Sequence, residues 1–198
     1  MGPDGRGWRD NRLLDPLRWA KGRLNQMLHG SRRERAMARI KALPKPRKIL
    51  FICTGNVCRS AYAEARLRES PEVEDGEIEV LSAGFMGAGE REPPADASLV
   101  AGTLGLDIEN HRSQALTDGL VEWADLLVVM EGDHRSGALE HFGADDERIL
   151  LLGDLDPELP RHRSIPDPLG RSKSFFKNSF DRVDRCLDEL LRVLRNSH

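Results

Sequence analysis

Apolar and polar positions alternate in two different ways along the 198-residue chain. In the first 46 residues Leu13, Leu17, Ala20, Leu24, Met27 and Leu28 recur at helical spacing, with Arg12, Arg18, Lys21 and Arg23 between them. That period predicts an amphipathic helix whose apolar stripe seeks a covered surface. Gly30 and Ser31 are the expected end of it. A second basic stretch, Arg32 to Leu43, carries Ala36, Met37 and Ile40 as its stripe. Pro44 and Pro46 then stop it, because proline lacks a backbone N–H and clashes with the preceding turn. Residues 1–46 thus read as a basic helical extension set apart from a domain over 47–198, with the boundary near Pro44–Arg47.

Beyond the boundary the pattern becomes strand and helix in alternation. The run Lys48-Ile-Leu-Phe-Ile-Cys53 is short, apolar and rich in β-branched and aromatic side chains, which predicts a buried strand. Further strands are expected at Glu77–Ala83, Asp125–Met130 and Arg148–Leu152. Helices are expected over Ser60–Glu69, Asp96–Leu104, Asp133–Phe142 and Lys173–Arg195. This order implies an α/β fold, a parallel sheet with helices on both faces. Ligands in such folds bind just past the carboxyl ends of the strands, and the turn that follows Cys53 lies at that edge.

Composition adds three constraints. The formal charge of −3 and pI near 6.1 give no overall attraction to nucleic acid. The sum hides an asymmetry, however: residues 1–46 hold twelve Lys and Arg against four Asp and Glu, a net +8, which leaves −11 on the remainder. No stretch approaches the ~20 apolar residues of a membrane span, and Met1-Gly-Pro-Asp-Gly-Arg6 lacks the apolar core of a secretory signal. A cytoplasmic protein is expected, and its three cysteines are expected as free thiols. Six histidines are present, but none stands at metal-ligand spacing with carboxylates, so neither metal nor other cofactor is expected. His134 and His141 are assigned to a surface helix.

The segment Cys53-Thr-Gly-Asn-Val-Cys-Arg-Ser60 carries the chemistry. A loop that curls around its own amides and runs into a helix N-terminus aims several N–H donors at one centre, where the helix dipole adds positive potential. A phosphate dianion suits that centre, held by the loop from Thr54 through Gly55, Asn56, Val57 and Cys58 to Arg59 and Ser60. The same field favours the thiolate of Cys53 as a nucleophile. Arg59 offers a planar fork for two phosphate oxygens, Ser60 a hydroxyl for the sulfur, and Gly55 freedom for the tight path.

The run Ile49-Leu-Phe-Ile-Cys-Thr-Gly-Asn-Val-Cys-Arg-Ser-Ala-Tyr-Ala-Glu-Ala65 resembles the signature of the low-molecular-weight protein tyrosine phosphatases. Ser82-Ala-Gly84, Asp125–Met130 and Asp167-Pro-Leu-Gly170 resemble later landmarks of that family, so the likeness covers about residues 47–196. It implies a four-stranded parallel sheet and a cysteine-dependent phosphatase acting on phosphoproteins through a phosphocysteine. By position it makes Cys53 the nucleophile, Arg59 the phosphate clamp and Asp167 the general acid. Asn56, Ser60, Ser82 and His111 become the network that holds the loop in shape. A reversible Cys53–Cys58 disulfide is a further implication, set against plain packing of Cys58 under the loop. Cys186 lies in the apolar stripe of the last helix and reads as core.

The chain departs from the family at its substrate wall. An aromatic residue follows Asp-Pro in tyrosine phosphatases, whereas Leu169 stands here; Ala88 aligns with the other wall position, and Phe85 and Met86 are close enough to replace it. Val57 falls between the isoleucine of the tyrosine branch and the threonine of an arginine phosphatase branch. Phosphotyrosine is the preferred substrate and phosphoarginine the alternative. A thioredoxin-coupled arsenate reductase would need two further cysteines, and there is none between Gly84 and Thr117. An idle phosphate-binding module would be expected to lack Cys53, Arg59 or Asp167. For residues 1–46 the candidates are an anionic membrane surface, a partner kinase, or packing onto the acidic catalytic domain.

Overall fold

A computed structural model describes residues 16–44 and 47–196. Four strands, β1 (Arg47–Cys53), β2 (Ile78–Gly84), β3 (Leu126–Val129) and β4 (Ile149–Leu151), form one sheet in the order β2-β1-β3-β4, every pair parallel. Seven helices accompany them among the described residues. They are α1 (Pro16–Lys41), α2 (Arg59–Arg68), α3 (Pro71–Glu74), α4 (Ala95–Thr103), α5 (Asp118–Trp123), α6 (Gly132–Phe142) and α7 (Lys173–Arg195). The central runs over residues 49–53, Leu126–Val129 and Ile149–Leu151 are apolar because both faces are covered. Ile49, Phe51 and Cys53 point into a large core with α2, α4 and α7, while Leu50 and Ile52 point into a smaller one with α5 and α6. Full burial of a side chain such as Phe51 contributes about 1.5–3 kcal/mol.

The parallel arrangement brings every strand's carboxyl end to one edge. There Cys53 pairs with Gly84, Ile52 with Val129, and Val129 with Leu151. Gly84 has a steric reason to be glycine. A Cβ on it would lie 2.8 Å from the Asn56 amide nitrogen and 2.8 Å from the Thr54 carbonyl oxygen, so β2 approaches the loop after β1 at backbone distance. After β4, a 3-10 turn (Leu152–Leu155) leads into residues 156–167. Asp156 and Arg182 pin that connection: Arg182 Nε donates to Asp156 at 2.8 Å, and its Nη atoms donate to the carbonyls of His162 and Ser164 at 2.8 Å each.

One expectation needs correction. The basic stretches before Pro44 form one helix, unbroken at Gly30–Ser31. A mid-helix glycine costs about 1 kcal/mol, and contacts on both sides of it outweigh that. Ahead of it Asn25 Nδ2 donates to the Arg161 carbonyl; beyond it Arg33 pairs with Glu189, and Ala36 and Ile40 are buried. The two halves of α1 present different faces to the domain. His29, Ala36 and Ile40 face the domain, with His29 Nε2 donating to the Asp156 carbonyl at 2.8 Å, whereas Trp19, Leu24, Met27 and Leu28 face solvent. Leu13 lies outside the described residues. The short helices α3 and α5 were not expected; Pro71 starts one, and Thr117, whose side chain accepts from the Leu120 amide, caps the other.

Candidate active site

Strand β1 delivers Cys53 to the carboxyl edge, and the chain turns through residues 54–58 before α2 starts at Arg59. The Cys53 sulfur lies 3.0 Å from Ser60 Oγ and accepts from the Asn56 amide at 3.2 Å. Asn56 shapes the turn. It is fully buried with φ of 52°, a left-handed conformation that asparagine tolerates better than most residues. Its side chain is bonded at both ends: Oδ1 accepts from the Gln114 amide at 2.8 Å, and Nδ2 donates to Ser60 Oγ at 3.0 Å and Ser82 Oγ at 2.7 Å. His111 Nε2 donates to its carbonyl at 2.7 Å. Ser82 in turn donates to Glu64, which Arg68 pairs. Buried polar groups joined in this way fix one backbone shape, since any break would leave a desolvated group unpaired.

Arg59 is 1% exposed and spans the cleft floor. Its Nη1 donates to Glu131 and to the Ile165 carbonyl, the latter at 3.0 Å; its Nη2 donates to Asp167 at 2.6 Å. Nε has no partner among the described residues. Asp167 also accepts from the Leu169 amide at 3.1 Å, an Asx turn that orients the carboxylate. The cleft measures about 160 Å³, and its lining includes Cys53, Arg59, Asp167, Val57, Met86 and Leu169. Thus 114 residues of sequence separate Cys53 and Asp167, and the fold brings both to one cavity.

The family description "Low molecular weight phosphotyrosine protein phosphatase" matches residues 48–198. The chain belongs to that family. The Bacillus subtilis (strain 168) protein-arginine-phosphatase is 32% identical over 149 residues, 74% of this chain and 96% of that protein. The Salmonella typhi low molecular weight protein-tyrosine-phosphatase Wzb is 34% identical over 149 residues, 74% of this chain and 93% of that protein. Among solved structures, a YwlE mutant from Bacillus subtilis superposes with a TM-score of 0.67 at 28% identity, covering 75% of this chain and 99% of that one. This chain is therefore a cysteine-dependent phosphatase of that family.

Within the phosphatase cleft the three expected wall residues part company. Met86 and Leu169 line the cavity, but Phe85 does not. Its ring turns into a neighbouring groove, stacked near His134 at 5.9 Å and tilted against Phe142 at 6.0 Å. Gly137 gives it room, since a Cβ there would lie 2.8 Å from the ring. Arg91 takes up the rim instead: its Nη2 donates to the Gly55 carbonyl at 3.0 Å and to that of Met86.

His134 also corrects its surface assignment. It is buried, and its Nε2 lies 3.0 Å from Thr54 Oγ1. Burial and the nearby Arg59 guanidinium lower its pKa. Cys58 is a free, buried thiol that lines the cleft, and burial together with Cys53 and Asp167 pushes its pKa up to about 12. Cys186 is buried in the large core. Sequence reading missed Glu131, Glu64, Gln114, Arg91 and His134. The acidic Glu131 directly after β3, at the sheet's ligand edge, was the available signal; the others depend on tertiary contacts with no local pattern.

Proposed function

We propose that this phosphatase hydrolyses phosphotyrosine in proteins, with Cys53, Arg59 and Asp167 as its catalytic residues. The Cys53 thiolate attacks phosphorus, the bond to the tyrosine oxygen breaks, and protonated Asp167 gives its proton to that oxygen. Water then attacks the phosphocysteine, the P–S bond breaks, and the Asp167 carboxylate takes the water's proton. Arg59 supplies Nε, and Nη2 once phosphate displaces Asp167, as a fork for two phosphate oxygens. That displacement frees the Asp167 side chain to face the leaving oxygen. Glu131 and the Ile165 carbonyl keep hold of Nη1, so the guanidinium stays oriented throughout. Asn56, Ser60, Ser82 and His111 act by holding the loop.

The observation that carries the tyrosine reading is the wall. Val57, Met86 and Leu169 present apolar surface to the leaving group, and among the described residues that line the cleft Asp167 is the one carboxylate. A phenyl ring is satisfied by such a wall. A phosphoarginine guanidinium brings several N–H donors, and Val57 offers them no acceptor. The protein-arginine-phosphatase relative makes the alternative worth testing directly. Phosphotyrosine and phosphoarginine peptides, assayed side by side without added metal and with Cys53→Ser as blank, should show Cys53-dependent turnover that favours phosphotyrosine. Preference for phosphoarginine would reverse the substrate reading; turnover undiminished in Cys53→Ser would overturn the mechanism. The reaction on phosphoproteins and the −11 charge of residues 47–198 fit a cytoplasmic setting. A Cys53–Cys58 disulfide under oxidation is a further part of the proposal, in which the neutral Cys58 thiol stays unreactive until Cys53 is oxidised to a sulfenic acid.

A further inference from the structure

The first half of α1 is built inside out for a helix packed on a domain. Its apolar residues point away: Trp19 is 69% exposed, Leu24 53%, Met27 79% and Leu28 38%. Its inner face is largely polar, with Asn25, Gln26 and His29 bonded to the carbonyls of Arg161, Leu159 and Asp156. Soluble proteins rarely leave such a stripe uncovered without a use for it. The helix holds eight Lys and Arg against one Glu. Arg33 and Arg39 meet carboxylates, whereas Lys21, Arg23, Arg32, Arg35 and Lys41 have no ion pair among the described residues. Lys21 and Arg23 are exposed beside the stripe.

We propose that this face docks the protein on an anionic phospholipid bilayer. A helix lying in a membrane interface needs Trp and Leu on one side, basic residues flanking them, and too little apolar length to span. All three hold for α1, and no described helix is long and apolar enough to cross a membrane. Charge complementarity selects the occupant. A second copy would set one +7 helix against another, and like charges at close range oppose pairing; an anionic surface neutralises them instead. Further along the helix, Arg32 and Arg35 join Arg39, Arg135 and Arg163 in lining a cleft of about 240 Å³. Asp154 holds Arg163 there, and burial and the Arg163 charge lower the Arg32 pKa. Asp146 pairs with Arg39 and Arg135, which leaves Arg32 and Arg35 as the arginines of this cleft available to headgroup phosphates.

The orientation has a functional consequence. Arg39 contacts Ile149 at the start of β4, while residues 25–29 contact Leu159, Arg161 and Asp156, beyond its end. The apolar stripe therefore lies toward the same sheet edge as Cys53, and docking brings the cleft close to phosphoproteins held at the membrane.

The test is cosedimentation of the full chain with phosphatidylcholine vesicles, with and without phosphatidylglycerol. Two variants accompany it, Leu24→Gln/Met27→Gln and Lys21→Glu/Arg23→Glu, and p-nitrophenyl phosphate turnover is measured on every sample. Binding should require phosphatidylglycerol, weaken at about 0.5 M salt, and fall by about tenfold or more in each variant while turnover is unchanged. Failure of active protein to bind phosphatidylglycerol vesicles at low salt would overturn the proposal, as would unaltered binding by Leu24→Gln/Met27→Gln. A concentration-dependent dimer dissolved by that variant, without vesicle binding, would overturn it in favour of self-association. Loss of turnover in the parent chain would instead count against the phosphatase reading, so the two failures are distinguishable.

Discussion

The Cys53–Ser60 loop and the first half of α1 solve opposite problems with similar amounts of sequence. In the loop, polar groups are buried and bonded: Asn56 makes four side-chain or carbonyl contacts with Gln114, Ser60, Ser82 and His111. In the first half of α1, the large apolar groups are exposed and polar ones face inward. The loop's order is thus over-determined, as a preorganised anion site requires. The helix is anchored mainly through its second half, leaving its outer face free for something else. Burial by itself does not mark function; the informative feature in each region is the group found where its chemistry would not place it.

The sharpest way to break the contrast is to alter the acidic residue of the cleft, which is exposed yet held in place. Asp167 has a side chain 40% exposed yet is held on Arg59. Asp167→Asn should leave the loop intact while removing the proposed proton donor, lowering kcat by about 10²–10⁴. The loss should be greatest on phenyl phosphates of high leaving-group pKa and small on p-nitrophenyl phosphate, whose phenolate leaves without help. A leaving-group series measured by steady-state kinetics decides it: an equal loss across the series would mean that Asp167 serves only to position Arg59.

The same contrast explains what was legible in the sequence. The loop could be read because its geometry is local: a strand-ending Cys53, Gly55, and Arg59-Ser60 opening a helix all lie within eight residues. Strands β1, β3 and β4 were readable because double burial gives them unbroken apolar runs, residues 49–53, Leu126–Val129 and Ile149–Leu151. In α1, periodicity found a helix but left open which way its stripe faces, since period says nothing about which side a neighbour occupies. The neighbour is α7 with residues 152–161, and it takes His29, Ala36 and Ile40. Phe85 was misplaced for a related reason. Proximity in sequence to the wall position at Ala88 suggested that Phe85 and Met86 both serve there, but successive side chains leaving a strand end point different ways, and the space above Gly137 took the ring.

Stability measurements sharpen the division inside α1. Ile40 has 0% exposure in the large core, so Ile40→Ala should cost about 2–5 kcal/mol. Met27→Gln, on the outward face, should stay within about 0.5 kcal/mol. Urea unfolding of the full chain, compared at constant m-value, tests both. A Met27→Gln cost comparable with that of Ile40→Ala would mean that the outward face is covered in the free protein, which would remove the contrast between the two halves.

The smallest expected effect concerns His134, which bridges the loop and α6. Its Nε2 lies against Thr54 Oγ1, while Nδ1 is buried with no partner among the described residues. The neutral Nε2–H tautomer suits this, because an unpaired buried lone pair is better tolerated than an unpaired N–H. Protonation would create that N–H and add charge beside Arg59, against which the nearby Glu131, Asp167 and Asp133 pull the other way. The net shift is downward, so the folded state takes up its proton at lower pH than the unfolded chain, whose value is about 6.5. Stability from this group is therefore full above about 6.5 and lost as pH falls from there through the lowered folded pKa. Urea midpoints measured from pH 7.5 down to 5 (roughly the range over which histidine titrates) should fall more steeply for the parent than for His134→Gln. Parallel slopes would show that His134 takes up its proton alike in folded and unfolded protein, and would leave its contact with Thr54 as a bond without electrostatic consequence.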